Sequence, residues 1–239
     1  MFPRISKVKE NGIFIVKMKY LKKSTALEID ENKCQGCGIC TKICPTQACG
    51  RGPIGGAKKE FLELEDIIPT ITDAEKCSYC GLCVFMCPWD AITLKIDDKE
   101  VPREELLLVT EHAVPELEYI MHKCKEGVPE SRSYFEGKIE FDMTKCPGGC
   151  NTCVDVCPTA ALKIEKPDTP WDKGRKMVVD DEACFHCGTC TNACPVFDAI
   201  KLTITEVKIK PESEYKAILW DKVIEQLKIS RMRGNVKIN

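Results

Sequence analysis

Apolar and polar residues alternate with a period of two in several short stretches of this chain, which predicts strands with one covered face. Ala26-Leu-Glu-Ile-Asp30 and Ala91-Ile-Thr-Leu-Lys-Ile96 show it in the first half. Lys138-Ile-Glu-Phe-Asp142 and Ala199-Ile-Lys-Leu-Thr-Ile204 repeat it in the second. An inner pair accompanies each: Phe61-Leu-Glu-Leu64 with Ile68–Thr72, then Ala161-Leu-Lys-Ile164 with Lys176–Val179. The same layout occurring twice marks an internal repeat of two small modules.

Three stretches lie outside the repeat. Arg4–Tyr20 alternates on either side of Glu10-Asn11-Gly12, which predicts a hairpin closed by a tight turn. Val101–Lys125 carries Leu106, Leu107, Leu108, Leu117, Ile120 and Met121, and predicts one or two helices broken near Pro115. Ser213–Ile229 predicts an amphipathic helix with Ile218, Leu219, Val223, Ile224 and Leu227 on one face. The predicted division is a hairpin extension over 1–23, a module over 24–97, a helical insert over 98–137, a second module over 138–206 and a helical extension over 207–239. The fold class is α+β, with short two-stranded ribbons and short helices. The two helical stripes either pack on the modules or dock on a partner subunit.

Composition changes this picture in one respect. The chain of 239 residues has only 8 Phe, 5 Tyr and 3 Trp, a thin supply for one large core, but it has 18 Cys. A bound metal group can supply part of the missing folding free energy. No apolar run approaches a transmembrane length. The patch Gly12-Ile-Phe-Ile-Val16 is too short for a signal peptide and leads into lysines. The expected location is therefore cytoplasmic, where many cysteines point to metal rather than disulfides. The net charge of −2 and the scattered basic groups give no sign of a nucleic-acid surface.

Sixteen of the cysteines fall in four runs, each closing on Cys-Pro. They are Cys34, Cys37, Cys40 and Cys44; Cys77, Cys80, Cys83 and Cys87; Cys146, Cys150, Cys153 and Cys157; and Cys184, Cys187, Cys190 and Cys194. This spacing is similar to that of [4Fe–4S] ferredoxins, where three cysteines hold one cluster and the fourth crosses to its neighbour. Because each module has its own framing strands, the runs pair in sequence. The first site is then Cys34, Cys37, Cys40 and Cys87. The second is Cys77, Cys80, Cys83 and Cys44. The third is Cys146, Cys150, Cys153 and Cys194, and the fourth is Cys184, Cys187, Cys190 and Cys157. Four [4Fe–4S] clusters are expected. A nested pairing, run one with four and run two with three, is the alternative, and the long insert between runs two and three argues against it.

Other chemistries would use the same residues. Zinc needs two Cys-x-x-Cys pairs but no third cysteine and no Cys-Pro. Cys146-x-x-x-Cys150-x-x-Cys153 matches the spacing of radical S-adenosylmethionine enzymes, but those need an iron without a protein ligand, and Cys194 is available as a fourth. Cys49 reads as a buried free thiol, Cys124 as a packed or surface thiol near His122, and His186 as a surface side chain. No dinucleotide loop, no Ser/His/Asp set and no catalytic carboxylate pair is evident, so no catalytic residue is expected.

With these residues in view, the sequence resembles the polyferredoxins of methanogenic archaea, and most of all the polyferredoxin subunit of formylmethanofuran dehydrogenase. The resemblance rests on Glu28–Thr46, the insert Phe61–Lys76, Pro88-Trp-Asp-Ala-Ile92, and the third run with Gly148-Gly149. It implies a non-catalytic subunit that relays single electrons inside a CO₂-reducing complex. Its implied partners are a molybdopterin or tungstopterin catalytic subunit and an electron donor. A polyferredoxin of a hydrogenase or of another anaerobic oxidoreductase is the alternative.

Overall fold

A computed structural model describes residues 3–50, 70–71, 73–124, 127–146, 150–165, 174 and 176–229. The expected strand Phe61–Leu64 and the Gly148-Gly149 pair lie outside these residues.

The first module is built on a five-stranded antiparallel sheet. It contains β1 (Arg4–Glu10), β2 (Ile13–Lys19), β3 (Ser24–Asp30), β6 (Ile92–Ile96) and β7 (Lys99–Glu100), in that order. Asn11 and Gly12 both have positive φ, as a two-residue hairpin turn requires, and they join β1 to β2. β1 is an almost fully exposed edge strand bearing Lys7 and Lys9, charges that discourage pairing with a second chain. β3 pairs with β6, Leu27 opposite Leu94 and Ile29 opposite Ile92.

The second module repeats that central pair as β10 (Phe135–Phe141) and β13 (Ile200–Val207), with Ile139 opposite Leu202 and Phe141 opposite Ile200. Ile200, Leu202 and Ile204 point inward and the residues between them outward. The inner ribbon of this module is β11 (Leu162–Glu165) against β12 (Lys176–Val179). Its counterpart in the first module is β4 (Cys49–Gly50) against β5 (Thr70–Ile71). The partner described for the strand at 70–71 is thus 49–50, and the expected partner 61–64 lies outside the described residues.

The insert differs from its sequence reading. Val101–Lys125 holds a 3₁₀ turn at Arg103–Glu105, a four-residue helix α3 (Leu107–Thr110) and the strand β8 (Ile120–His122), which pairs with β9 (Ser131–Ser133). Leu106, at the N-terminal cap of this helix, and Leu108 are buried while Leu107 is 71% exposed, so the three leucines do not share one helical face.

The C-terminal helix α6 (Ala217–Lys228) forms, but its buried stripe is Trp220, Val223 and Leu227, and Ile218 is 80% exposed. This face packs on β13 and on the short helix α1 (Ile39–Ile43) of the first module. It is part of the chain's own core and not a free docking face. One core runs through both modules, from Val16, Leu27 and Ile29 through Leu106, Tyr134 and Phe135 to Phe185, Leu202 and Trp220.

Candidate iron–sulfur relay

Each cysteine run folds as a loop followed by one short helical turn, α1, α2 (Leu82–Phe85), α4 (Thr152–Asp155) or α5 (Thr189–Ala193). Gly38, Gly81 and Gly188 cap three of these turns in the left-handed region. Gly81 is under a second constraint: a Cβ there would lie 2.8 Å from Cδ2 of Leu106. The insert thus seats a buried leucine directly on the second run.

After three of the Cys-Pro pairs the chain makes the same turn: Gln47, Asp90 and Ala160, each three residues past the cysteine, adopt left-handed φ and are followed by an alanine, whereas the left-handed residue of the fourth run, Asp198, comes one residue later. In the first three the turn aims the alanine N–H back at the cysteine. Ala91 N–H donates to Cys87 Sγ at 3.3 Å, and Ala161 N–H to Cys157 Sγ at 3.2 Å. Such N–H···S bonds stabilise a thiolate and are one lever on cluster potential. No glycine or asparagine marks these turns as a set, so composition gave no signal for them.

The thiols fall into groups. Cys146, Cys150, Cys153 and Cys194 ring one hollow of about 500 Å³, part of it open to solvent, with Phe141, Ile164 and Met177 on its walls. Cys44, Cys77, Cys80 and Cys83 ring a second hollow of about 360 Å³, which Cys49 also lines. Cys87 lies close to Cys37 and Cys40, and Cys157 close to Cys184, Cys187 and Cys190, near enough for the paired charges to push one another's pKa upward. Burial first, and then these neighbours, raise Cys184 to about 12 and Cys187 to about 11. Cys153 is raised to about 11 for the same reasons, with Cys194 and Cys150 beside it. Among the described residues, no three His, Cys, Asp or Glu side chains close on one point as a single ion requires. The thiols ring spaces wider than an ion, and the donor set, four thiols with N–H groups aimed at sulfur, fits a [4Fe–4S] cluster.

The groups also stand in an order. Cys83 feels Cys40, which joins the second site to the first. Cys190 feels Cys153, which joins the fourth to the third. Across the module boundary, Cys187 has the largest charge effect of any thiol on Cys37, after burial. The hydroxyl of Thr189 sits between them, 2.9 Å from the Cys37 carbonyl oxygen and 3.2 Å from Cys187 Sγ. The sequence along the molecule is second, first, fourth, third. The fully buried cysteines, Cys40, Cys87, Cys184 and Cys190, all belong to the inner pair of sites.

Aromatic and charged groups seal this junction. Trp89 of the first module meets Phe185 of the second edge-on at 5.3 Å, and Trp89 Nε1 donates to the Pro129 carbonyl at 3.2 Å. Arg103 donates to the Cys87 carbonyl at 3.2 Å, to Asp90 and to the Tyr134 hydroxyl, and Arg132 forms an ion pair with the same Asp90. The insert therefore clamps the turn that carries Cys87.

Three other residues are placed as follows. His186 is half-buried, with its ring against Gly137 and its Nδ1 fully enclosed, and does not lie on the surface. Cys124 is half-buried, its thiol near the His122 carbonyl and Ser131 hydroxyl. Cys49 is half-buried at the place Leu162 has in the second module. Its thiol donates to Cys44, which this bond draws down to about 5, while Cys49 itself is pushed far up by its hydrogen bonds with Cys40 and then Cys44, and by burial.

The 4Fe-4S dicluster domain family matches residues 145–197, and a second dicluster family matches 176–232. The 4Fe-4S binding domain matches residues 27–48 and 70–93. An uncharacterized ferredoxin of Methanocaldococcus jannaschii is 34% identical over 79 residues, covering 33% of this chain and 95% of its own length. The polyferredoxin protein MvhB of Methanothermobacter marburgensis is 39% identical over 66 residues, 27% of this chain and 16% of that protein. A chain of the formate dehydrogenase–heterodisulfide reductase–formylmethanofuran dehydrogenase complex of Methanospirillum hungatei superposes with a TM-score of 0.76 at 28% identity, over 100% of this chain and 96% of its own. No helix among the described residues is long and apolar enough to cross a membrane.

Proposed function

This chain belongs to the [4Fe–4S] ferredoxins and transfers electrons as polyferredoxins do; on that premise we propose that it is a non-catalytic subunit relaying electrons inside a CO₂-reducing complex that contains formylmethanofuran dehydrogenase. When bound, each cluster takes up and returns one electron. The sixteen cysteines of the four runs are its ligands in this reading, paired run with neighbouring run; the hollows and close thiols support that grouping for fifteen of them, and Cys34 joins Cys37, Cys40 and Cys87 by its spacing in the first run. Cys44, Cys87, Cys157 and Cys194 each cross to the neighbouring site and so hold two sites of a module together.

The observation that carries the reading is the contact of Thr189 with both Cys37 and Cys187. It joins two pairs of sites into one line, which a shuttle with two independent modules would not need. Trp89 and the buried Phe185 pack together between Cys87 and Cys184 and so cover the inner pair, where an exposed site would leak electrons to solvent species. The outer pair, at Cys44/Cys77/Cys80/Cys83 and Cys146/Cys150/Cys153/Cys194, is open enough to meet a donor at one end and an acceptor at the other.

Affinity purification of the tagged chain from its native host under anaerobic conditions tests the assembly. A molybdopterin or tungstopterin catalytic subunit is expected in the purified complex. Recovery of a stable, active monomer alone would make this a free ferredoxin.

A further inference from the structure

The short helix between the third and fourth cysteine of each run carries a different middle residue: Lys42, Phe85, Asp155 and Asn192. Phe85 belongs to the core and Asp155 faces solvent. Lys42 is a cation only 7% exposed, and burying an ammonium is costly unless something nearby holds it. Its Nζ donates to the Leu227 carbonyl oxygen at 2.7 Å. Leu227 lies in the last turn of α6, where unpaired carbonyls gather negative partial charge. The side chain leaves α1 between Cys40, a ligand of the first site in this reading, and Cys44, and the helix that holds its Nζ packs both on α1 and on β13 of the second module. Helix α6, with Trp220, Val223 and Leu227 buried, closes this pocket from outside.

We infer that Lys42 is an electrostatic positioning residue for the crossing between the modules: its buried ammonium, fixed by the end of α6, raises the reduction potential of the inner sites that flank Thr189. A reduced cluster is more negative than an oxidised one, so a fixed nearby cation favours the reduced form, and burial leaves that attraction weakly screened. Helix α6 then has a second role besides filling the core, because its C-terminal carbonyl holds the ammonium in place. The inference rests on the relay reading, but not on which complex the chain joins.

The test is an anaerobic redox titration of the whole iron-loaded chain, followed by electron paramagnetic resonance, for wild type, Lys42→Gln and Lys42→Arg. Glutamine keeps a donor for Leu227 and removes the charge. In Lys42→Gln, the reduced-to-oxidised ratio of at least one site should fall about tenfold at fixed poise, a downward shift of about 59 mV. At least one remote site should stay where it was, and Lys42→Arg should keep all wild-type midpoints. Unchanged midpoints in Lys42→Gln, or an equal shift in Lys42→Arg, would overturn the inference. If Lys42→Gln does not retain iron, Lys42→Arg decides: wild-type midpoints at full iron support the charge role, and a tenfold shift refutes it. The readout is taken on the isolated chain, so its failure leaves complex membership untouched, and absence of a catalytic subunit from the purified complex leaves Lys42 untouched.

Discussion

The hydroxyl of Thr189 donates to the main-chain carbonyl of Cys37 at 2.9 Å, and the two residues belong to different modules. The hydroxyl is partly buried, so its partner is not readily replaced by water. Thr189→Val keeps the shape and deletes the donor. It is expected to cost about 1 kcal/mol, read as earlier loss of cluster absorbance on heating, with iron content unchanged. The magnetic interaction between reduced clusters of the two modules should also weaken. Wild-type values for both would mean the junction is held elsewhere.

Gly81 carries two demands at once, a φ of 82° and close approach of Leu106. Gly81→Ala is expected to destabilise by about 1–2 kcal/mol for the backbone alone, and Leu106 must shift as well. Combining it with Leu106→Ala should recover part of the loss in a double-mutant cycle, because the smaller side chain removes the collision. Strict additivity of the two changes would contradict the contact.

His122 sets a pH dependence. Its ring is buried, with Nδ1 3.2 Å from the Glu182 carbonyl oxygen and Nε2 2.9 Å from the Ser133 hydroxyl. Burial holds its pKa below the ordinary 6.5. His186 opposite is lowered likewise, by burial and then by His122, while Asp181 and Glu136 act the other way. A depressed folded pKa means the unfolded chain binds the proton better. The stabilising contribution is present above about pH 6.5 and is lost as pH falls through the lower folded value. Thermal stability should therefore fall as the pH drops below about 6.5, and His122→Gln should flatten that slope. Equal slopes in both proteins would exclude His122 as the cause.

Cys194 lies with Cys146, Cys150 and Cys153 around one hollow, in a different module from Cys34 and Cys37. Cys194→Ala should lower iron by about one cluster of four and remove one resonance, leaving the first module's signals in place. Loss of the signal from the Cys37 site would instead favour the nested pairing of runs. An intact third cluster that binds S-adenosylmethionine would favour radical chemistry.

The cysteines and framing strands were legible because both depend on local spacing. Leu27 faces Leu94 and Ile139 faces Leu202 at positions that alternation alone selects. The insert was misread because three consecutive leucines, Leu106 to Leu108, satisfy a helical window, while what holds them is Gly81 beneath Leu106 and the Arg103 bonds to Cys87 and Asp90. On α6 the expected Val223 and Leu227 are buried, but Trp220, the largest fully buried side chain among the described residues, takes the place on the stripe that the apolar pattern gives to Ile218. The burial of Lys42 and the enclosure of His186 depend on how the two modules meet, which no single stretch of sequence encodes.

The central claim is a line of four one-electron sites in a single chain. Coulometric reduction of the anaerobically purified protein, with iron and sulfide analysis of the same sample, tests it most directly. The account predicts about four electrons taken up per chain, with about sixteen irons and about sixteen sulfides. Uptake of about two electrons with half that iron, or stoichiometric zinc in its place, would contradict it.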